Sequence, residues 1–462
     1  MPLTQSSRLV LVVVTVLAAG WMVFSALLIA RDPWLGVAVG IAPGVVALLI
    51  RYSLVRLLSI IGGGLFVLGS SSDVSISKLI YAALVVVCAA ISAYRLLREP
   101  PAFSEFFRPL IWAGLLMIAA IILGFVGSPL GGDVTTFGRQ SLFYVLIALG
   151  PVIGLDSGRD LSPNFVYSLI GVIGSFAAIG FALDWLDRRG VTSLDFGRVI
   201  LSSLVLPALA FGLALALVFH AAGLLQRVFW LLPVLTIPIA MLVTGTRTNL
   251  IIFAAIPAVA GRLRDSRVPI GRMILLVTGA GVIGAMIFSV VAATLISDPG
   301  FLDSRVRASI AVLSGDGASD QSFALRSAQY DSAWQYISGS PLFGLGLGYF
   351  IPITLDTPLL TVVRFGWIGT STIVVYLGVF SWAVLRTRKQ YGTSVAHTAW
   401  WAFMLVILLN IPFGTPLEDR GFGFALLLAS MAIASAINTP QLMLGSGRDG
   451  YVVQRRVKRF AI

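Results

Sequence analysis

The chain has 462 residues, 58% of them hydrophobic and only 11% charged, with a formal net charge of +12. So few charges exclude an ordinary soluble domain, in which about a quarter of residues are charged. Nearly charge-free runs of about 18 residues or more recur from end to end and read as spans of an all-α polytopic membrane protein; a β-barrel would alternate in short segments instead.

The first apolar run, 9–30, is too long for a signal-peptide core and lacks a small-residue cleavage site, so it predicts a retained span. Further spans are predicted at 33–50, 55–70, 79–97, 109–127, 138–154, 164–183, 199–219, 227–244, 249–261, 270–296, 367–385, 397–411 and 421–438. That makes about 14, or about 12 if the short runs 55–70 and 249–261 are tilted, broken or re-entrant. The organisation is then helices through residues 1–296, one large external loop over 297–366, C-terminal helices over 367–438 and a basic cytoplasmic tail, 439–462. Cys88 lies inside a span, which leaves no disulfide framework and no thiolate metal site. His220 and His397 sit at span ends near basic residues and read as interfacial packing rather than a metal pair.

With both termini inside, the cytoplasmic side holds 20 of the 32 basic residues and 6 of the 20 acids, a balance of +14. The external side is left with 12 basic residues and 14 acids, a balance of −2. The bias obeys the positive-inside rule, so the basic excess reports orientation and attraction to membrane lipids, not nucleic acid. Topology does not require the external arginines. Arg139, Arg198, Arg247, Arg326 and Arg420 sit at span ends beside small residues. Each alone reads as well as an arginine snorkelling to lipid phosphates; five on one face point to an anionic ligand.

"LVTGTRTNLI", Leu242 to Ile251, wedges Arg247 among Thr and Gly between two apolar stretches. In the external loop, "FALRSAQYDSAWQYI" places Phe323, Tyr330, Ala333, Trp334 and Ile337 at helical spacing. This predicts an amphipathic helix on the membrane surface, with Asp320 as N-cap and Arg326 at the edge of the apolar face. "SGSPLFGLGLGYF" breaks that helix at Gly339 and Pro341. Its glycines follow no strand, so close backbone approach or a tight bend accounts for them better than a phosphate loop. "TLDTPLLTVVRFGWIG" then puts Asp356 before an apolar run re-entering the bilayer near Gly366. Such an acid is a helix cap or a general base at a cavity mouth.

Together these residues suit a pyrophosphate. Guanidinium forks bind its oxygens bidentately and neutralise it as a leaving group, and an acid takes the proton of an attacking hydroxyl. No metal or cofactor is called for, because arginines supply the positive charge and no tight acid cluster appears in the sequence.

The three stretches around Arg247, Arg326 and Asp356 resemble the O-antigen ligase and Wzy-type O-antigen polymerase superfamily, over about the C-terminal half of the chain. The resemblance implies a metal-independent, GT-C-like glycosyltransferase of the cytoplasmic (inner) membrane, with its active site on the extracytoplasmic face. Its donor would be an oligosaccharide linked to a polyprenyl pyrophosphate, and chain-length regulator or flippase proteins are candidate partners. It makes Arg247 and Arg326 pyrophosphate-binding residues, with Arg198 a weaker match; Asp356, read from its position, stays the candidate base. Arg139, Tyr330, Glu418 and Arg420 are further candidates. The chain departs from many ligases in having Leu355-Asp356 where they have His-Asn, which favours a polymerase over a ligase. A lipid-linked glycan flippase or transporter is the other class; the repeated halves expected of a transporter are not visible.

Overall fold

The structure, a computed structural model, describes residues 33–68, 76–98, 104–126, 133–187, 203–219, 221, 223–243, isolated positions between 252 and 286, 321–353, 355–391, 395–411 and 414–438. Among these residues it is helical, with no strand. The helices are α1 (Pro33–Arg51), α2 (Ser53–Leu68), α3 (Ile76–Arg98), α4 (Ser104–Val126), α5 (Val134–Asp160) and α6 (Pro163–Asp187). They continue with α7 (Val205–Val218), α8 (Leu224–Val243), α9 (Gln321–Gly339), α10 (Leu359–Tyr391), α11 (Val395–Asn410) and α12 (Phe422–Asn438). Five of them, α3, α5, α6, α8 and α10, are long and apolar enough to cross a membrane, and α4, α7, α11 and α12 contain shorter apolar helices. The predicted span 9–30 lies outside the described residues, and 249–261 and 270–296 are described only at isolated positions.

The chain divides into two compact units, residues 1–56 and 57–462. In the first, α1 ends at Arg51 and only Tyr52 intervenes before the next helix begins. Arg56, in that next turn, donates to the Leu49 and Ile50 carbonyls at the end of α1, which have no partner within their own helix.

The second unit is built around α5 and α12. Gly150, Gly154 and Gly158 recur every fourth residue of α5 and form one bare stripe. A Cβ at Gly154 or Gly158 would collide with the Leu427 or Met431 carbonyl oxygen of α12, and one at Gly150 would stand 3.0 Å from the Gly423 oxygen. Backbones can meet this closely only without side chains, and in lipid such packing replaces a hydrophobic driving force. Gly174 against Ala210 joins α6 to α7, and Gly212 against Ala402 joins α7 to α11, in the same way. Almost every residue of α7 is buried, so it runs through the interior with apolar side chains all round. Tyr376 of α10 donates to the Ile147 carbonyl of α5 at 2.8 Å.

α5 extends beyond the predicted 138–154 at both ends. Asp133 caps its start by accepting from Thr136 N–H at 2.8 Å. At its far end Asp156 and Asp160, expected in a loop, are helical; Arg95 of α3 reaches them at 3.4 and 3.0 Å and offsets their charge. The predicted span 367–385 is also the longer part of a broken helix. α10 begins at Leu359 and is interrupted at Gly366, whose φ of 62° and ψ of −174° no helix contains.

Candidate functional site

The site assembles where α5 and α12 begin and α11 ends. α9 supplies one wall. Arg326, Gln329, Ala333 and Ile337 share a stripe, and Ala333 and Ile337 bury against Leu345, Leu355, Leu360 and Val363. Trp334, expected on that apolar face, is exposed, with its ring 6.5 Å from that of Trp367. At about 100° of rotation per residue it falls on the flank of the stripe marked by Ala333 and Ile337. Tyr330 is half-buried on the packed side. The predicted N-cap, Asp320, lies outside the described residues.

The glycine segment after α9 threads against the break in α10. Leu345 N–H donates to the Val363 carbonyl at 2.7 Å, and Gly346 N–H to that of Arg364 at 2.9 Å. Trp367 N–H donates to the Pro341 carbonyl at 2.9 Å. Gly344 and Gly366 take φ of +71° and +62°, and a Cβ on either would meet the other segment's backbone. Close backbone approach therefore explains these glycines. The segment also reaches α5: Asp133 N–H donates to the Gly348 carbonyl at 3.0 Å.

This scaffold carries Asp356. Its backbone N–H donates to Gln329 Oε1 at 3.3 Å, tying the loop to α9. Its carboxylate accepts from the Thr415 N–H and lies within range of the Arg326 charge. Partial burial pushes this carboxyl above the ordinary aspartate value, while Arg326 and the Thr415 N–H pull it back down. The residue keeps exposed surface. Its carboxylate bonds to Thr415 and not to the first turn of α10, so it does not act as that helix's cap.

The neighbouring acids are engaged differently. Glu418 forms a 2.6 Å ion pair with Arg364 and accepts from the Tyr144 hydroxyl of α5. Side-chain exposure is 12% for Arg364 and 20% for Glu418, so the pair is largely shielded from solvent. Phe365 packs edge-on against Tyr144, with centroids 4.8 Å apart. Asp419 accepts from the Ser203 hydroxyl at 2.6 Å and from Leu204 N–H at 2.7 Å, fixing the approach to α7, and from Gly421 N–H at 2.8 Å. Burial raises the Asp419 carboxyl, and these hydrogen bonds, with one from Val205 N–H, oppose the rise. Between them the two acids tie the segment after Thr415 to α5, α10 and the approach to α7.

Of the sequence-predicted site residues, Arg326 and Asp356 are brought together, and Tyr330 lies one turn from Arg326 on the same helix. Arg198 and Arg247 lie outside the described residues. Arg139 belongs to the first turns of α5, but its side chain is outside the description. Arg420 is exposed in the turn before α12. Sequence reasoning passed over Arg364, Tyr144 and Gln329. Arg364 carried a readable signal, a lone arginine in an apolar stretch, the same feature that singled out Arg247. Among the described residues no three His, Cys, Asp or Glu side chains group as a metal site. No protein-family model, curated protein or solved structure matches the chain.

Proposed function

We propose that the chain is a membrane glycosyltransferase that polymerises polyprenyl-pyrophosphate-linked oligosaccharides at the outer face of the cytoplasmic membrane. The observation that carries the reading is the placement of Asp356 within range of the Arg326 charge, beside Glu418 and Asp419, which are already committed to other partners. Asp356 is thus the acid best disposed to exchange a proton with a ligand. A hydroxyl oxygen of the acceptor sugar attacks the anomeric carbon of the donor sugar. The bond from that carbon to the pyrophosphate oxygen breaks, and its electron pair leaves with the pyrophosphate. Asp356 accepts the hydroxyl proton. Arg326 faces the charge that grows on the leaving group, together with Arg247 and Arg198 in the same proposed role.

The test uses the purified full-length protein in detergent and lipid-linked oligosaccharide extracted from a strain deleted for its gene. Elongation of that oligosaccharide, with release of polyprenyl pyrophosphate, is the expected result. Transfer of a single unit to a different acceptor would make the protein a ligase. Absence of any transfer, with movement of the intact lipid between leaflets of a reconstituted vesicle, would overturn the reading in favour of a flippase.

A further inference from the structure

A base must meet one particular hydroxyl of the acceptor, so the acceptor sugar needs a hold of its own beside Asp356. Next to Asp356 the chain leaves a gap. Gly414 is buried, and a Cβ placed on it would stand 3.4 Å from Asp356 Oδ1 and 3.2 Å from Asn410 Oδ1. The carboxylate and the carboxamide therefore flank the same bare side of one glycine, each within van der Waals reach of the same point. Asn410 is the last residue of α11 and only half-buried, so its side chain is not sealed into the bundle. The rest of the niche is stiff. Thr415 N–H is committed to Asp356, and Glu418 N–H donates to the Thr415 carbonyl at 2.9 Å. The bonds of Glu418 and Asp419 hold the segment that follows.

A carboxamide can donate and accept at once, and a sugar hydroxyl does the same. A carboxylate only accepts. Side by side they fit two hydroxyls of one ring: the reacting one gives its proton to Asp356, and its neighbour exchanges hydrogen bonds with Asn410. We infer that Asn410, across the space left by Gly414, binds the acceptor sugar and selects the hydroxyl presented to Asp356. The inference rests on the transferase reading and adds the acceptor subsite to it.

The experiment separates the two substrates. The donor is the lipid-linked oligosaccharide. The acceptor probe is the same oligosaccharide freed from its lipid by mild acid, which keeps its hydroxyls but has no pyrophosphate to give up. At saturating donor, Asn410→Ala should raise the KM for the free oligosaccharide about five- to tenfold, the loss of roughly one hydrogen bond, with a smaller change in kcat. Gly414→Ala, which puts a methyl group into the niche, should raise it further while the donor KM stays within about twofold. A purely structural Asn410 would lower the melting temperature and leave the acceptor KM unmoved. If the wild-type protein transfers sugar and both variants keep its acceptor KM, the subsite is overturned and the transferase reading stands. If the wild-type protein transfers nothing to either acceptor, the transferase reading itself fails, and the subsite with it. Should Asn410→Ala not fold, the Gly414→Ala measurement decides alone.

Discussion

Asp356 is defined by the balance of forces on its carboxyl. Burial raises its pKa, and Arg326 with the Thr415 N–H lowers it. A base works only as the carboxylate, so activity should fall as pH falls through this pKa. Arg326→Ala removes a positive charge that favours the carboxylate, so the acid limb of kcat/KM should move to higher pH, on top of weaker donor binding. A pH profile of the variant checks this; a uniform drop in rate with an unmoved limb would make Arg326 a scaffold residue. Asp356→Asn keeps the shape and most of the contacts. It should cost about a hundredfold or more in turnover while leaving donor binding intact, read by single-turnover kinetics beside a donor titration. Both residues could be singled out in the sequence by position, Arg326 at the edge of an apolar helix face and Asp356 just before an apolar run. Their neighbourhood could not. Gln329 and Asn410 are unremarkable polar residues at helix positions, and only folding puts one at the Asp356 backbone and the other near its carboxylate.

At the scale of elements, the site depends on two devices that periodicity did not reveal. One is the Arg364–Glu418–Tyr144 cluster, which fastens broken α10 to α5 and to the segment before α12. Removing Glu418 leaves a shielded guanidinium without its counter-charge. Glu418→Ala should therefore destabilise by roughly 2–4 kcal/mol, and Arg364→Met in the same chain should recover part of that loss. Thermal unfolding of the four proteins of this double-mutant cycle measures it; additive losses would show that the pair contributes no coupling. The other device is the glycine stripe of α5. Gly154→Val forces a side chain into the Leu427 carbonyl and should destabilise by about 3 kcal/mol, the upper end of ordinary overpacking, with loss of the folded protein from the membrane. The four-residue spacing of Gly150, Gly154 and Gly158 could be read in the sequence, but its partner could not, since α12 lies more than 250 residues further along the chain. Among the described residues, apolar run lengths located most helices to within a few residues. They failed where a polar cap or ion pair prolonged the helix, as Asp133 and Arg95 do for α5, and where Trp334 was assigned to the stripe it only flanks.

For the molecule as a whole, α5 fixes the ends. Its first turns adjoin the glycine segment through Asp133 and Gly348, and its last turns carry Asp156 and Asp160 paired with Arg95. The candidate site and the basic end of α3 are thus at opposite ends of one helix. The positive-inside rule, applied to the charge count, predicts Arg95 and Arg98 on the cytoplasmic side. With that orientation the site would face outward, the side on which the proposed donor is used. Single cysteines test this directly. Cys88 is buried, so replacing it with Ser gives a background with no reactive thiol. Arg420 and Arg98 are both exposed, one in the turn before α12 and the other in the last turn of α3. In intact cells a membrane-impermeant maleimide should label Arg420→Cys and spare Arg98→Cys until the membrane is permeabilised. The opposite pattern would put Asp356 and Arg326 in the cytoplasm, and a transferase working on the outer leaflet would be ruled out whatever its residues can do chemically.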